Sequence, residues 1–379
     1  MSMSMSMRMT RVLAVTMMAL LGAVAASAEV TMVEHHALKS SLKRAGNNKA
    51  AGNKKPRKAT GSQGLIDNSG LKYFINTNIT FSTTSSASAA MSEASYTHAV
   101  AATTLNGGTT SSTLNDAFDG YNTLCISLNN TVVNCETNNT NFVIYNQLGP
   151  ATTECLGATS GVNRQVVFPV QTSGSLNIQR KVFVPDNDSF GRWLNYFTNT
   201  GASPITVTAV IANNLGSDSN TKIVTSSNGN NTAETTDTWI TSFQAYSGTT
   251  SSDVRLGHVL QGAGGSVPLA GINFVDGDDN PFWGYTFTLN PGETKIIVNF
   301  VVGQPSNAAS AAKAAQLTGL PPSALQCSTT TEQREFSNFL AAQPVVQIPT
   351  VSGIGLLTLA CGLALAALAV LLKRRSAAA

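Results

Sequence analysis

The chain has 379 residues, a formal net charge of +3 and only 11% charged residues. A disordered chain would carry more charge, a collagen needs glycine at every third position, and a coiled coil needs many Glu, Lys and Leu, so none of these classes applies. The apolar fraction of 42% is raised by two hydrophobic ends, and the sequence between them is rich in Ser, Thr, Asn and Gly.

At the N-terminal end, Arg8 and Arg11 precede an apolar run from Val12 to Ala26, and Ala26-Ser27-Ala28 supplies the small residues a signal peptidase requires. Residues 1–28 therefore read as a secretory signal peptide, with the Sec translocon and signal peptidase as partners. Residues 29–64 hold eight basic and two acidic side chains, whereas residues 65–345 hold ten basic and eighteen acidic ones. The basic stretch, Lys39 to Lys58, has almost no large apolar side chains and is expected to be a disordered arm. For an exported chain the available polyanions are acidic polysaccharide, lipid headgroups and extracellular DNA; the arm could also fold back on its own acidic body or be a solvated linker that binds nothing in particular, and no specific nucleic acid is expected.

Residues 65–346 read as an all-β body. In Ile205-Thr206-Val207-Thr208-Ala209-Val210-Ile211 the apolar residues alternate, which indicates a half-buried strand. Tyr285, Phe287 and Leu289 alternate in the same way before Asn290-Pro291-Gly292-Glu293, followed by Ile296, Val298, Phe300 and Val302. Pro then Gly suits the centre of a type II turn, and the stretch is read as a β-hairpin. Further strands are expected at 166–170, 176–184, 193–198, 222–225 and 238–243. The class is a β-sandwich, one large or two smaller with a division near 170–180, plus two short helices near its C-terminal end. Those helices are Ala308 to Leu317, stopped by Gly319 and Pro321, and a segment opened by the capping box Thr329-Thr330-Thr331-Glu332 and running to about Leu340.

Four cysteines in the body face an oxidising compartment: Cys125, Cys135, Cys155 and Cys327. A three-residue loop at Asn129-Asn130-Thr131 would set Cys125 opposite Cys135, leaving Cys155 with Cys327; a two-residue loop would put the first two on opposite faces. Zinc is not expected, because no CxxC spacing or histidine partner accompanies them. Asp276-Gly277-Asp278-Asp279-Asn280 gathers hard oxygen donors around a glycine, and Ca²⁺ is the cofactor such a loop would take, if it is not a plain acidic turn. Trp193, Trp239 and Trp283 either line a sugar platform or fill the core. No nucleophile elbow, paired carboxylates or histidine with nearby acids are found, so no catalytic residues are assigned and the chain is expected not to be an enzyme.

Residues 347–379 form the C-terminal segment. Ile354 to Leu372 is uninterruptedly apolar or small, long enough for a transmembrane helix, and Lys373-Arg374-Arg375 would hold its end in the cytoplasm. Ahead of it stand Ile348, Pro349, Thr350, Val351, Ser352 and Gly355. This three-part layout resembles the IPTL C-terminal sorting signal of exported bacterial surface proteins. Val351, Gly353 and Ile354 depart from the family's usual Leu, Glu and Trp. The resemblance implies an exosortase-type transpeptidase as partner, cleavage near Pro349-Thr350, and delivery from a single-pass inner-membrane precursor to the cell surface or medium. The reading is a surface protein with a structural or adhesive role; the alternative is a carbohydrate-binding or polysaccharide-acting surface protein.

Overall fold

The computed structural model describes residues 61–77, 87–103, 109–127, 143–147, 151–244 and 253–340. The signal peptide, residues 29–60 of the basic arm, Cys135, the sorting motif and the segment 354–372 lie outside the described residues, whereas residues 62–64, expected to close a disordered arm ending at 64, belong to the first strand. Among those described, no helix is long and apolar enough to cross a membrane.

In chain order the strands are β1 (Ser62–Ile66), β2 (Leu71–Asn76), β3 (Met91–Tyr96), β4 (Val100–Thr103), β5 (Thr109–Ser112), β6 (Gly120–Ser127), β7 (Val143–Ile144), β8 (Thr152–Leu156), β9 (Asn163–Val167) and β10 (Gln171–Ser173). They continue with β11 (Leu176–Phe183), β12 (Gly191–Asn199), β13 (Ile205–Asn214), β14 (Thr221–Ser226), β15 (Trp239–Gln244), β16 (Arg255–Val259), β17 (Leu269–Asn273), β18 (Phe282–Leu289) and β19 (Thr294–Gln304). One sheet has the order β1-β2-β3-β6-β13-β18-β17 with β7 on β6; the other runs β14-β15-β16-β19-β12-β11-β9-β8 with β10 on β11. Every pairing in the two sheets is antiparallel. Strands from before residue 170 and after residue 180 pair directly, β6 with β13, so the two stretches share one sheet.

The expected alternation on β13 holds: Val207, Ala209 and Ile211 lie in the core between the sheets, with Ile205 packed against it. Trp193 and Phe197 of β12, Leu176, Ile178 and Val182 of β11, and Trp283, Tyr285, Phe287 and Leu289 of β18 meet them there.

The hairpin read at residues 285–302 is corrected. Asn290-Pro291-Gly292-Glu293 does turn as expected, with Glu293 N donating to Asn290 O at 3.0 Å and Gly292 at φ +75°. However, β18 belongs to the first sheet and β19 to the second, so the turn arches between layers. The alternation misled because β19 is buried on both faces: Ile297 and Val301 face the core, while Ile296, Val298, Phe300 and Val302 are equally covered.

The stretch from residue 307 to 338 provides part of that cover. Helix α1 (Asn307–Leu317) begins at Ser306, whose side chain accepts from Ala309 N, and lies against β15, β16 and β19. A Cβ on Gly257 of β16 would stand 2.9 Å from Ser310 Oγ, which is why the helix can approach so closely. A short α2 (Pro322–Leu325), absent from the sequence reading, follows Pro321. Helix α3 (Thr330–Glu335) has both bonds of its capping box, between Thr329 and Glu332. It stops at Glu335 instead of Leu340 because the next residues join β19: Ser337 N donates to Ile296 O at 2.9 Å, and the Asn338 side chain pairs with both N and O of Val298.

Candidate functional site

A concave feature lies at the β8–β9 edge of the second sheet, where Gln326 and Cys327 return to it. Cys155 of β8 is disulfide-bonded to Cys327, with Cα atoms 5.7 Å apart, as the sequence expected for this pair. Cys125 is also disulfide-bonded, and its expected partner Cys135 lies outside the described residues. Around the Cys155–Cys327 bridge opens a cleft of about 230 Å³, lined by Leu156, Gly157, Ala158, Arg164, Phe183, Pro185, Asp186 and Gln326.

The turn between β8 and β9 shapes one wall. Gly157 N donates to Val162 O at 2.8 Å, closing the hairpin, and the amides of Ala158, Thr159 and Ser160 donate to the Asp186 carboxylate at 2.9, 3.0 and 2.6 Å. A Cβ at Gly157 would stand 2.2 Å from Asp186 Oδ2, so the carboxylate can enter this nest only above a glycine. Desolvation opposes ionisation, but the bonds from Ser160 and Thr159 outweigh it and hold the carboxyl well below the usual range. Asp186 is thus a permanent anion and hydrogen-bond acceptor, poorly suited to be a general acid.

Arg164 forms the opposite side. Its Nε donates to Val184 O at 2.8 Å, and Nη2 donates to Ile66 O, which anchors the guanidinium to the neighbouring sheet's first strand. Below them Phe183 is clamped by Arg192, whose guanidinium lies 4.7 Å over the ring and donates to Ala324 O, Gln326 O and Gln165 Oε1. Arg192 thereby fixes the backbone that presents Gln326. At the rim Leu156 is 69% exposed and Val162 57%, an apolar edge beside charged groups. The cleft therefore combines one fixed carboxylate, one guanidinium, one carboxamide and an apolar lip.

The residues singled out in the sequence fall elsewhere. In the Asp276–Asn280 loop, Asp276 accepts from Lys222 Nζ and Ile223 N, both at 2.8 Å, Asp278 accepts from Asn280 N, and Asn280 Nδ2 donates to Asp279. These oxygens stitch the loop to β14 and to itself, and no group of three or more potential metal ligands occurs among the described residues. Trp193 and Trp283 are wholly buried core residues and provide no surface platform. His258, which stood in no recognisable motif, joins Tyr121 and Ser242: Tyr121 Oη and His258 Nδ1 are 2.9 Å apart, as are His258 Nε2 and Ser242 Oγ. All three are sealed between the sheets, and burial pushes the imidazole down to about 3, so it is neutral and structural. Arg164 and Gln326 carried no sequence signal; Asp186 stood in an Asp-Asn-Asp run whose other member, Asp188, pairs with Lys313 of α1 at 2.6 Å.

No protein-family model and no characterised protein sequence matches this chain. Among solved structures it is similar to a polysaccharide lyase (11% identity, TM-score 0.35, covering 65% of this chain and 34% of that one). A galactose mutarotase-like protein from Lactobacillus casei is similar at 10% identity and TM-score 0.34, covering 64% of this chain and 100% of that one. A heparan sulfate lyase from Pedobacter heparinus gives 16% identity and TM-score 0.28 over 47% of this chain and 23% of its own. The chain thus spans about a third of the length of the first of these. Two of the three are enzymes by name, and the expectation that the chain is not an enzyme is withdrawn.

Proposed function

We propose that the chain is an exported, carbohydrate-directed protein whose cleft beside the Cys155–Cys327 disulfide engages a saccharide unit of an extracellular polysaccharide. The observation that carries this reading is the cleft's mixture of groups. A sugar ring presents hydroxyls, which both donate and accept, around a patch of C–H bonds. Asp186 accepts, Arg164 donates, Gln326 offers a carboxamide, and Leu156 and Pro185 offer apolar contact. The signal peptide, the IPTL-like tail and the basic arm belong to the same proposal: they would bring the body to a surface where polysaccharide is the abundant ligand, and adhesion would be one outcome of such binding.

The test is glycan-array screening of the full chain followed by calorimetry on the best ligand, with Leu156→Asp and Gln326→Ala as variants at the rim. A loss of about tenfold or more in affinity, equivalent to roughly 1.4 kcal/mol, is expected with circular dichroism unchanged. Equal affinity in both variants would remove the cleft from consideration. Release of reducing ends or unsaturated uronates from a bound polysaccharide, lost in the same variants, would make the cleft catalytic. For the tail, peptide mass analysis of protein from fractionated cells is expected to end near Pro349; retention through Ala379 overturns sorting.

A further inference from the structure

Arg180 projects from β11 into the space between the sheets, on the same side as Leu176, Ile178 and Val182, and is fully buried. Its Nε donates to Asn195 Oδ1 at 2.8 Å, and Nη2 donates to both the backbone O, at 2.8 Å, and the side-chain Oδ1 of Asn122. Nη1 has no hydrogen-bond partner among the described residues. The Asn122 amide is oriented by this contact, since its oxygen must face the guanidinium, and its Nδ2 is also buried without a partner among the described residues. Asn195 has nothing further to offer: its Nδ2 is spent on Ile297 O and Asn299 Oδ1.

The charge is also uncompensated. Among the described residues no carboxylate pairs with Arg180; the Tyr145 ring lies 5.9 Å away. Burial lowers the guanidinium to about 9, which still leaves it protonated at neutral pH. A buried cation without a counter-charge is costly, and adjacent orphan donors add to that cost.

We propose that Arg180 Nη1 and Asn122 Nδ2 hold a small monovalent anion, chloride in the protein's surroundings, enclosed between the two sheets. A halide answers each part of the geometry. It accepts from several N–H groups at once, it neutralises the guanidinium, and it brings no second oxygen that would need donors of its own, as a carboxylate or sulfate would. The backbone of Asn122 fits the same purpose. It holds φ +61°, a left-handed conformation that Asn tolerates, and this conformation turns both its carbonyl and its side chain toward Arg180.

The experiment uses the full chain, exchanged into chloride-free sulfate buffer and titrated with sodium chloride or bromide at constant ionic strength. The melting temperature is expected to rise by about 2–4 °C per tenfold increase in halide above its dissociation constant. Asn122→Gly keeps the positive φ and the carbonyl that Arg180 uses but removes Nδ2, and the halide response should weaken. In Arg180→Met it should vanish; if that variant does not fold, Asn122→Gly and crystallography decide. Bromide-soaked crystals should show an anomalous peak within hydrogen-bonding distance of both nitrogens. A melting temperature indifferent to halide, or a peak without anomalous signal, would mean that water serves these donors and would overturn the proposal.

Discussion

Cys155 and Cys327, separated by 172 residues of chain, are joined at the cleft with φ values of +62° and +59°, so both halves of the bridge sit in the left-handed region. Closing so long a loop removes a large share of the unfolded chain's freedom, roughly 5 kcal/mol in the loop-entropy model. Each left-handed residue gives back about 1–2 kcal/mol. The Cys155→Ala/Cys327→Ala double variant should therefore lose about 1–3 kcal/mol of stability, read from urea unfolding. It should also lose binding at the cleft that the bridge lines.

Asp67 is 5% exposed and accepts from Ser69 N, Leu71 N and the Tyr73 hydroxyl. Burial pushes its carboxyl up to about 6. Between about pH 4 and 6 the native state then keeps a proton that the unfolded chain has released, so this group's contribution to stability falls as pH rises through that window. Asp67→Asn keeps one acceptor oxygen, puts an amide nitrogen in place of the other, and removes the slope. Urea midpoints across the window should drop in the parent, by at most about 3 kcal/mol from this residue, and not in the variant.

His258 works in the opposite direction. Its pKa is lowered to about 3 by burial, so between about pH 3 and 6.5 the unfolded chain binds a proton that the native imidazole refuses. Its stability contribution is full above the unfolded pKa and is lost as pH falls. His258→Gln should flatten the acid side of the profile, leaving the Asp67 slope visible. Acid-unfolding curves of the single and double variants separate the two.

Trp193 and Trp283 are both fully buried, yet they differ in one bond. Trp193 Nε1 donates to Ala89 O at 2.7 Å, whereas Trp283 Nε1 has no partner among the described residues. Trp193→Phe strands a carbonyl; Trp283→Phe removes an unsatisfied donor. The first should cost about 1–2 kcal/mol more than the second in thermal unfolding. Trp283→Ala should cost about 3–5 kcal/mol through the cavity it leaves, and so reports on folding and not on sugar binding.

The strands were legible where one face is buried and alternation is clean, as at Ile205 to Ile211. Legibility failed at β19, where alternation marks no inside because both faces are covered. The capping box at Thr329 and Glu332 was plain from local residues, but the helix's end was set by Asn338 reaching β19, a contact made across 40 residues. The cleft was least legible. Asp186 gains its character from three amides of a turn nearly thirty residues earlier, and Arg164 from carbonyls on distant segments, relations that no spacing in the chain encodes.

The arch through Pro291 and Gly292 also governs the order in which this body can be completed. β19 is last of the strands in sequence, yet it lies between β16 and β12, the members of its sheet to either side. Until it arrives, the second sheet exists as two separate halves, each with a bare inner edge ready to pair with another chain. A polypeptide threaded from its N-terminus through a narrow pore would carry both edges unpaired until residues 294–304 had emerged. Assembly of the second sheet would therefore be a late, single event.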